Sequence, residues 1–158
     1  NTGMESNIGN PQRDKLDDID RHIINALRGD GRVAFAQIAE QLNVSPGMIR
    51  QRYNRLVDLG FLKVVAVTNP LMMGKRTVTM IGIRTDGRKM MEVANKISKF
   101  DEVVYIVATS GRYDLMLEVF CQDHEDMLNF MTEKLAKVDG VRETESFIYL
   151  KIIKEIYF

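Results

Sequence analysis

Residues 35–61 read FAQIAEQLNVSPGMIRQRYNRLVDLGF, two amphipathic runs separated by a break. The first places Phe35, Ile38, Ala39 and Leu42 at i, i+3, i+4 and i+7, one stripe of an α-helix. Asn43-Val44 interrupts the stripe. Ser45-Pro46 then restarts it as a helix should start, with a hydroxyl at the N-cap and proline at the first helical position. In the second run Ile49, Tyr53 and Leu56 fall on one side, which leaves Gly47, Arg50, Gln51, Asn54, Arg55 and Asp58 on the other; Gly60 supplies a left-handed stop. Two short helices around a tight turn have the shape of a helix-turn-helix, whose second helix reads DNA.

The outward side of that second helix carries the chemistry. Arginine forks onto guanine O6 and N7, glutamine and asparagine onto adenine N6 and N7, and any of them can take a phosphate instead. Arg50, Arg52 and Arg55 lie between Ser45 and Val57 with no acid among them. One helix with a charged face is more often merely solvated. Here a preceding helix supplies the partner that makes a reading head, and Ser45, Met48, Arg50, Gln51, Asn54 and Arg55 are its expected DNA-facing set.

Asp17 to Leu27 adds a third helix, with Ile19, Ile23 and Leu27 as its buried stripe. The acids Asp14, Asp17, Asp18 and Asp20 gather at its start, where the helix dipole favours them. Three helices close a small core over residues 14–62. The β-prone run Phe61-Leu62-Lys63-Val64-Val65-Ala66-Val67 is then expected as a wing or a tether strand within a 63–75 link. Residues 1–13 are polar, contain Gly9-Asn10-Pro11, and read as a mobile tail. Asn1-Thr2-Gly3 ahead of Met4 reads as a cloning remnant, with Met4 the expected native start.

Composition narrows the function classes. Of 158 residues 45% are hydrophobic and 28% charged, with zero formal net charge and no apolar run long enough to span a bilayer. Residues 14–63 carry eight Lys/Arg against seven Asp/Glu, and residues 75–158 thirteen against fourteen. Neither half binds nucleic acid tightly through bulk charge, so a DNA binder of this kind needs two or more reading heads per complex. Cys121 is the only cysteine, which excludes an intrachain disulfide and a thiolate metal cluster and suits a reducing cytoplasm. No basic segment followed by an apolar one directs secretion.

The second half, residues 76–158, has its own order. Thr77–Thr85 is strand-like. Lys89–Phe100 is helix-like, with Met90, Val93, Ile97 and Phe100 in register. Val103–Thr109 is β-branched, and Tyr113–Cys121 alternates Leu115, Leu117, Val119 and Cys121 against Met116, Glu118 and Phe120. Asp123 caps a second helix with the stripe Met127, Leu128, Met131, Leu135 and Val138, stopped by Gly140, and Glu143–Ile156 is a final strand. The order β-α-β-β-α-β is the ferredoxin-like split βαβ unit, so the fold class is α+β. Two helices cover one face of such a sheet. Met116, Phe120, Phe147 and Tyr149 fall on the other, an apolar patch that marks a dimer interface.

Both halves together resemble the leucine-responsive, feast/famine (Lrp/AsnC) family of transcription regulators, from Leu16 onward. The resemblance is carried by Leu16-Asp17-x-x-Asp20 with Ile23-x-x-Leu27 before Gly31-Arg32. Ile38-Ala39, and Ser45 followed by Arg52-x-x-Arg55-Leu56 and Gly60, continue it. Gly111-x-Tyr113-Asp114, and Gly140-Val141 with Thr144, complete it. It implies a winged helix-turn-helix domain, a regulatory domain of the kind called RAM, and homodimers assembling into tetramers or octamers on double-stranded DNA. It further implies a small effector, most often an amino acid, bound between regulatory domains, with no cofactor and no metal. Met48 stands where the family commonly has Thr or Ser, and Ser146 where a second Thr is frequent. The run after Gly60 lacks the usual glycine and tyrosine.

For the effector, Thr109-Ser110-Gly111-Arg112-Tyr113-Asp114 forms a strand-to-strand turn. Gly111 there admits a ligand carboxylate close to backbone N–H groups, Asp114 is a candidate for the α-amino group, and Arg112 for the carboxylate. The bland alternative is a hairpin whose aspartate accepts local backbone bonds. An enzyme is disfavoured: His22 and His124 lack a second ligand at metal spacing, no nucleophile motif adjoins them, and no phosphate loop is present. An RNA-recognition module is disfavoured by the acids of the Tyr113–Phe120 strand. A stand-alone amino-acid sensor, or a ligand-independent architectural DNA binder of the same fold, remains as the alternative.

Overall fold

The computed structural model describes residues 16–155, and the chain divides into two compact units between Ala66 and Val67. The expected tail 1–13, Asp14 and Ile156 lie outside the described residues.

Three helices make the first unit: α1 (Asp18–Gly29), α2 (Phe35–Leu42) and α3 (Pro46–Asp58). Local chemistry sets their ends. Asp17 accepts from the Asp20 backbone N–H while Asp20 reaches back to that of Asp17, a reciprocal capping box. Asn43 turns left-handed (φ 54°) to end α2, and Ser45 Oγ accepts from the Met48 N–H at 3.1 Å to start α3. Gly60 adopts φ 80° after α3, as its position foretold. Ile23, Leu27, Ile38, Ala39, Ile49 and Leu56 fill the core, with Phe35 and Tyr53 ring to ring at 5.1 Å on its margin.

Two expectations for this unit change. Ile19 is only half buried, whereas Asp20, read from the sequence as one of four acids favoured by the helix dipole, is fully buried. The run Phe61–Val67 forms no wing or strand, and Val64, Val65 and Val67 stand exposed. β-propensity measures fit to a neighbouring strand, and among the described residues none lies beside this run.

The second unit is a four-stranded antiparallel sheet in the order β2-β3-β1-β4, built from β1 (Thr77–Thr85), β2 (Val103–Ala108), β3 (Leu115–Cys121) and β4 (Val141–Ile148). Helix α4 (Met90–Ile97) follows β1 and α5 (His124–Asn129) follows β3, giving the βαββαβ order. One sheet face and the helices enclose Ile81, Ile83, Val93, Ile97, Leu115, Leu117, Val119, Cys121, Met127, Phe130, Leu135 and Val138. Gly140 (φ 98°) closes this layer against α4: a Cβ there would stand 2.8 Å from Val93 Cγ2.

Of the expected second helical stripe, Met127, Met131, Leu135 and Val138 face the core and Leu128 does not. α5 passes into a π turn at Phe130–Lys134 and a 3₁₀ turn at Leu135–Lys137. That change of pitch rotates the later side chains. Phe130 is fully buried, edge-on to Phe100 at 5.9 Å, and Leu128 points outward at 63% exposure. The final strand ends at Ile148, not Ile156. Tyr149 still bonds β1 through Val78, but the backbone from Leu150 to Glu155 is irregular, with Leu150 and Ile153 exposed.

Among the described residues of this unit, no helix covers the opposite sheet face. Register puts Val78, Met80 and Gly82 of β1 beside Phe120, Glu118 and Met116 of β3, and Met80 beside Phe147 of β4. Tyr105 and Val107 extend the patch along β2. Met116, Phe120 and Tyr149 are partly covered and Phe147 is 43% exposed. Within it the Tyr149 hydroxyl donates to Glu118 Oε2 at 2.6 Å. Burial and that carboxylate push the phenol's pKa upward.

Candidate functional site

Two places gather the residues singled out from the sequence, one in each unit. In the first, α3 presents Arg50, Gln51 and Asn54 as exposed side chains, while Ile49 and Leu56 anchor the helix from behind. Met48 is half buried. Ser45 is exposed, and its hydroxyl is already engaged as the N-cap.

The arginines are not equivalent. Arg52 Nη1 donates to Asp17 Oδ2 at 2.5 Å and to Asp20 Oδ1 at 3.3 Å, and its side chain is 27% exposed. Arg55 Nη1 donates to Asp20 Oδ2 at 3.3 Å, yet its side chain is 49% exposed. The acids of the first helix therefore meet the arginines of the third, about 35 residues away in sequence. The Asp20 backbone N–H, and then the Arg52 guanidinium, hold the Asp17 carboxyl below the usual carboxylate range. The two carboxylates, Asp17 first, raise Arg52 in turn. A fully buried carboxylate such as Asp20 is tolerated only when paired and hydrogen-bonded.

In the second unit the turn Thr109–Asp114 links β2 to β3. Thr109 closes it: its N–H donates to the Asp114 carbonyl at 3.0 Å and its hydroxyl to the Tyr113 carbonyl at 2.5 Å. Asp114 Oδ2 accepts from the Thr85 N–H at 2.8 Å and the Thr85 hydroxyl at 3.3 Å, which ties the turn to the end of β1. Ser110, Gly111 and Arg112 are exposed. Gly111 has open space where a Cβ would stand and is not among the positive-φ glycines, so the turn itself does not require glycine there. The Arg112 guanidinium lies 5.8 Å from the Tyr113 ring centre, and its carbonyl accepts from Arg84 Nε at 3.0 Å.

Gly82 escaped the sequence reading. The Tyr113 ring lies across it so closely that a Cβ would come within 2.6 Å of the ring carbons, and the same ring meets Phe147 edge-on at 6.4 Å. A lone glycine inside an otherwise regular strand was the available signal. His22 bonds Gln41 at 2.9 Å, and His124 is exposed at the start of α5. Among the described residues no group of three or more His, Cys, Asp or Glu side chains is arranged to hold a metal.

The sequence of residues 16–57 matches the AsnC-type helix-turn-helix domain, and residues 78–157 match the Lrp/AsnC ligand binding domain. An uncharacterized HTH-type transcriptional regulator of Pyrococcus horikoshii, PH0140, is 34% identical over 141 residues, covering 89% of each chain. The HTH-type transcriptional regulator FL11 of Pyrococcus furiosus is also 34% identical over 141 residues, 89% of this chain and 93% of that one. Among solved structures, E. coli AsnC superposes with a TM-score of 0.84 at 26% identity, covering 89% of this chain and 96% of that one. The Neisseria meningitidis transcriptional regulator NMB0573, solved as an L-Met complex, gives 0.81 at 26% identity over 89% and 94%. With a three-helix reading head, a βαββαβ second unit and both family patterns in sequence, this chain belongs to the Lrp/AsnC family of DNA-binding transcriptional regulators.

Proposed function

We propose that this regulator binds specific DNA sequences through Arg50, Gln51, Asn54 and Arg55, with Ser45 and Met48 at the helix entry. A small effector, an amino acid, modulates its DNA binding or its assembly. The observation that carries the reading is the α3 face: four exposed side chains able to read base edges, on a helix held by buried Ile49 and Leu56. The working form is a cytoplasmic homodimer that builds to a tetramer or octamer. Support for the dimer is the uncovered apolar sheet face around Met80, Phe120 and Phe147. It brings two reading heads together, as a chain of zero net charge needs.

The ligand-binding domain match over residues 78–157 and the L-Met complex of the Neisseria relative support an amino-acid effector. Its proposed seat is the hairpin Thr109, Ser110, Gly111, Arg112, Tyr113 and Asp114. A specific observation favours a second reading, a ligand-independent architectural binder: the Asp114 carboxylate already accepts two bonds from Thr85.

A thermal-shift screen of the twenty amino acids separates the two readings, since a ligand at 100 times its dissociation constant adds about 2.7 kcal/mol. Arg112→Ala is the variant of choice, because Asp114→Ala would break the Thr85 bonds whatever the ligand. An amino acid that stabilises the parent but not Arg112→Ala supports the effector reading. No response to any of the twenty leaves the architectural one.

A further inference from the structure

We infer that Asp20 is a positioning residue for DNA recognition, and that Arg52 is a strut that holds the reading helix rather than a DNA contact. The inference rests on the DNA-binding reading and assigns different work to arginines that look alike in sequence.

Asp20 lies in the first helix, fully buried, with every carboxylate bond directed at the recognition helix or at its own cap. Oδ1 receives Arg52, and Oδ2 receives Arg55 and the Asp17 backbone N–H, each at 3.3 Å. Arg52 is held from two sides, by Asp20 and by Asp17 at 2.5 Å, and is about a quarter exposed. Its Nη1 is thus committed within the protein, under a side chain that is mostly covered. Arg55 differs in exposure and in the number of carboxylates it meets: its Nη1 is tied to Asp20 alone, and half of the side chain remains in solvent. A planar guanidinium fixed at one nitrogen keeps its other donors in a set direction. Asp20 therefore biases Arg55 outward, and part of the rotamer freedom it would lose on DNA is already lost in the free protein.

A consequence for specificity follows. Asp17 and Asp20 offset two of the three positive charges of α3, which weakens sequence-independent attraction to phosphate and leaves discrimination to the oriented donors. Replacing Asp20 by a neutral residue should lower affinity for the chosen sequence and, by unmasking charge, preserve or raise affinity for any other.

The test uses the full chain and a duplex that it enriches from a random-sequence library, with a scrambled duplex as the non-specific probe. Asp20→Asn is expected to weaken binding of the enriched duplex about tenfold, the scale of one side chain losing its preorganisation. Binding of the scrambled duplex should not fall. In an Arg55→Ala background the same Asp20→Asn change should cost clearly less than in the parent, leaving only the part that passes through the Arg52 strut, whereas with Arg50→Ala the two losses should add. Additive losses with Arg55→Ala, or equal losses on both duplexes, would overturn the assignment.

Arg52→Gln serves as a second variant, at a partly exposed position that leaves Asp20 paired to Arg55. It should weaken the enriched duplex with no change in salt dependence. A slope shallower by about 0.9, the mark of one lost phosphate contact, would make Arg52 a DNA contact and refute the strut. A parent chain that enriches no duplex would overturn the DNA reading and this inference with it. Binding by the parent alongside an additive cycle would overturn this inference alone.

Discussion

Gly82→Ala is the smallest change that tests how the hairpin of the second unit is held. Gly82 lies in the middle of β1, and its φ is not positive, so alanine meets no backbone strain. The obstacle is Tyr113, two of whose ring carbons would stand 2.6 Å and a third 2.9 Å from the new Cβ. The clashing atoms are carbons of the rigid ring, Cγ, Cδ2 and Cε2, so the whole ring must lift off the sheet. Lifting it forfeits the edge-on contact with Phe147, worth about 0.5–1.5 kcal/mol, and overpacking of this kind costs about 1–3 kcal/mol. Alanine returns roughly 0.5–1 kcal/mol by restricting the unfolded chain. The net is about 2 kcal/mol, or roughly 10 °C in Tm for a unit of this size. The assay is thermal unfolding by circular dichroism at fixed protein concentration, on Gly82→Ala, Tyr113→Ala and the double variant. In the Tyr113→Ala background the Gly82→Ala change should be neutral or stabilising. An unchanged Tm for Gly82→Ala, or the same loss with and without the tyrosine ring, would refute the packing argument.

Acid stability should depend on Asp17 and Asp139, whose carboxyls are held low chiefly by the Asp20 backbone N–H and by Lys89 respectively. Because the folded values lie below the unfolded 3.8, their contribution is present above that pH and fades as pH falls through the folded values; Asp139→Asn should flatten this limb in a pH series of melts. Lys89 and Lys134 are raised by Asp139 and Glu102, so their contribution is full below 10.5 and is lost only at more alkaline pH, a limb that Lys89→Met should reduce. Cys121 is fully buried and burial pushes its thiol up to about 11, so iodoacetamide at pH 8 should label it only in denaturant; rapid labelling of the native chain would contradict its place in the core. Phe147→Glu on the uncovered sheet face should shift the chain toward monomer in light scattering, and an unaltered mass would move the dimer seam elsewhere.

Much of the fold was legible because its determinants are local. The helix stripes of residues 35–56, the Ser45 and Asp123 caps, the Gly60 and Gly140 stops and the alternation of Leu115 to Cys121 each depend on residues a few positions apart, and all appear in the structure. The exposure of Arg50, Gln51, Asn54 and Arg55 followed from the same periodicity. What the sequence could not decide depends on partners distant along the chain. Asp20 reads as one more acid at a helix start until α3 packs beside it and its arginines close over the carboxylate. Asp114 reads equally as a ligand group or a local backbone acceptor, and its bonds to Thr85 of β1 are invisible along the chain; Gly82 carries no meaning until Tyr113 lies across it. Leu128 is exposed and Phe130 buried because the helix phase is set by Met127, whose i+3 neighbour is Phe130; only packing against Phe100 fixes that phase. The β-prone run after Gly60 stays irregular for the complementary reason. Backbone hydrogen bonds in a strand belong to the pair, and propensity alone cannot supply the second member.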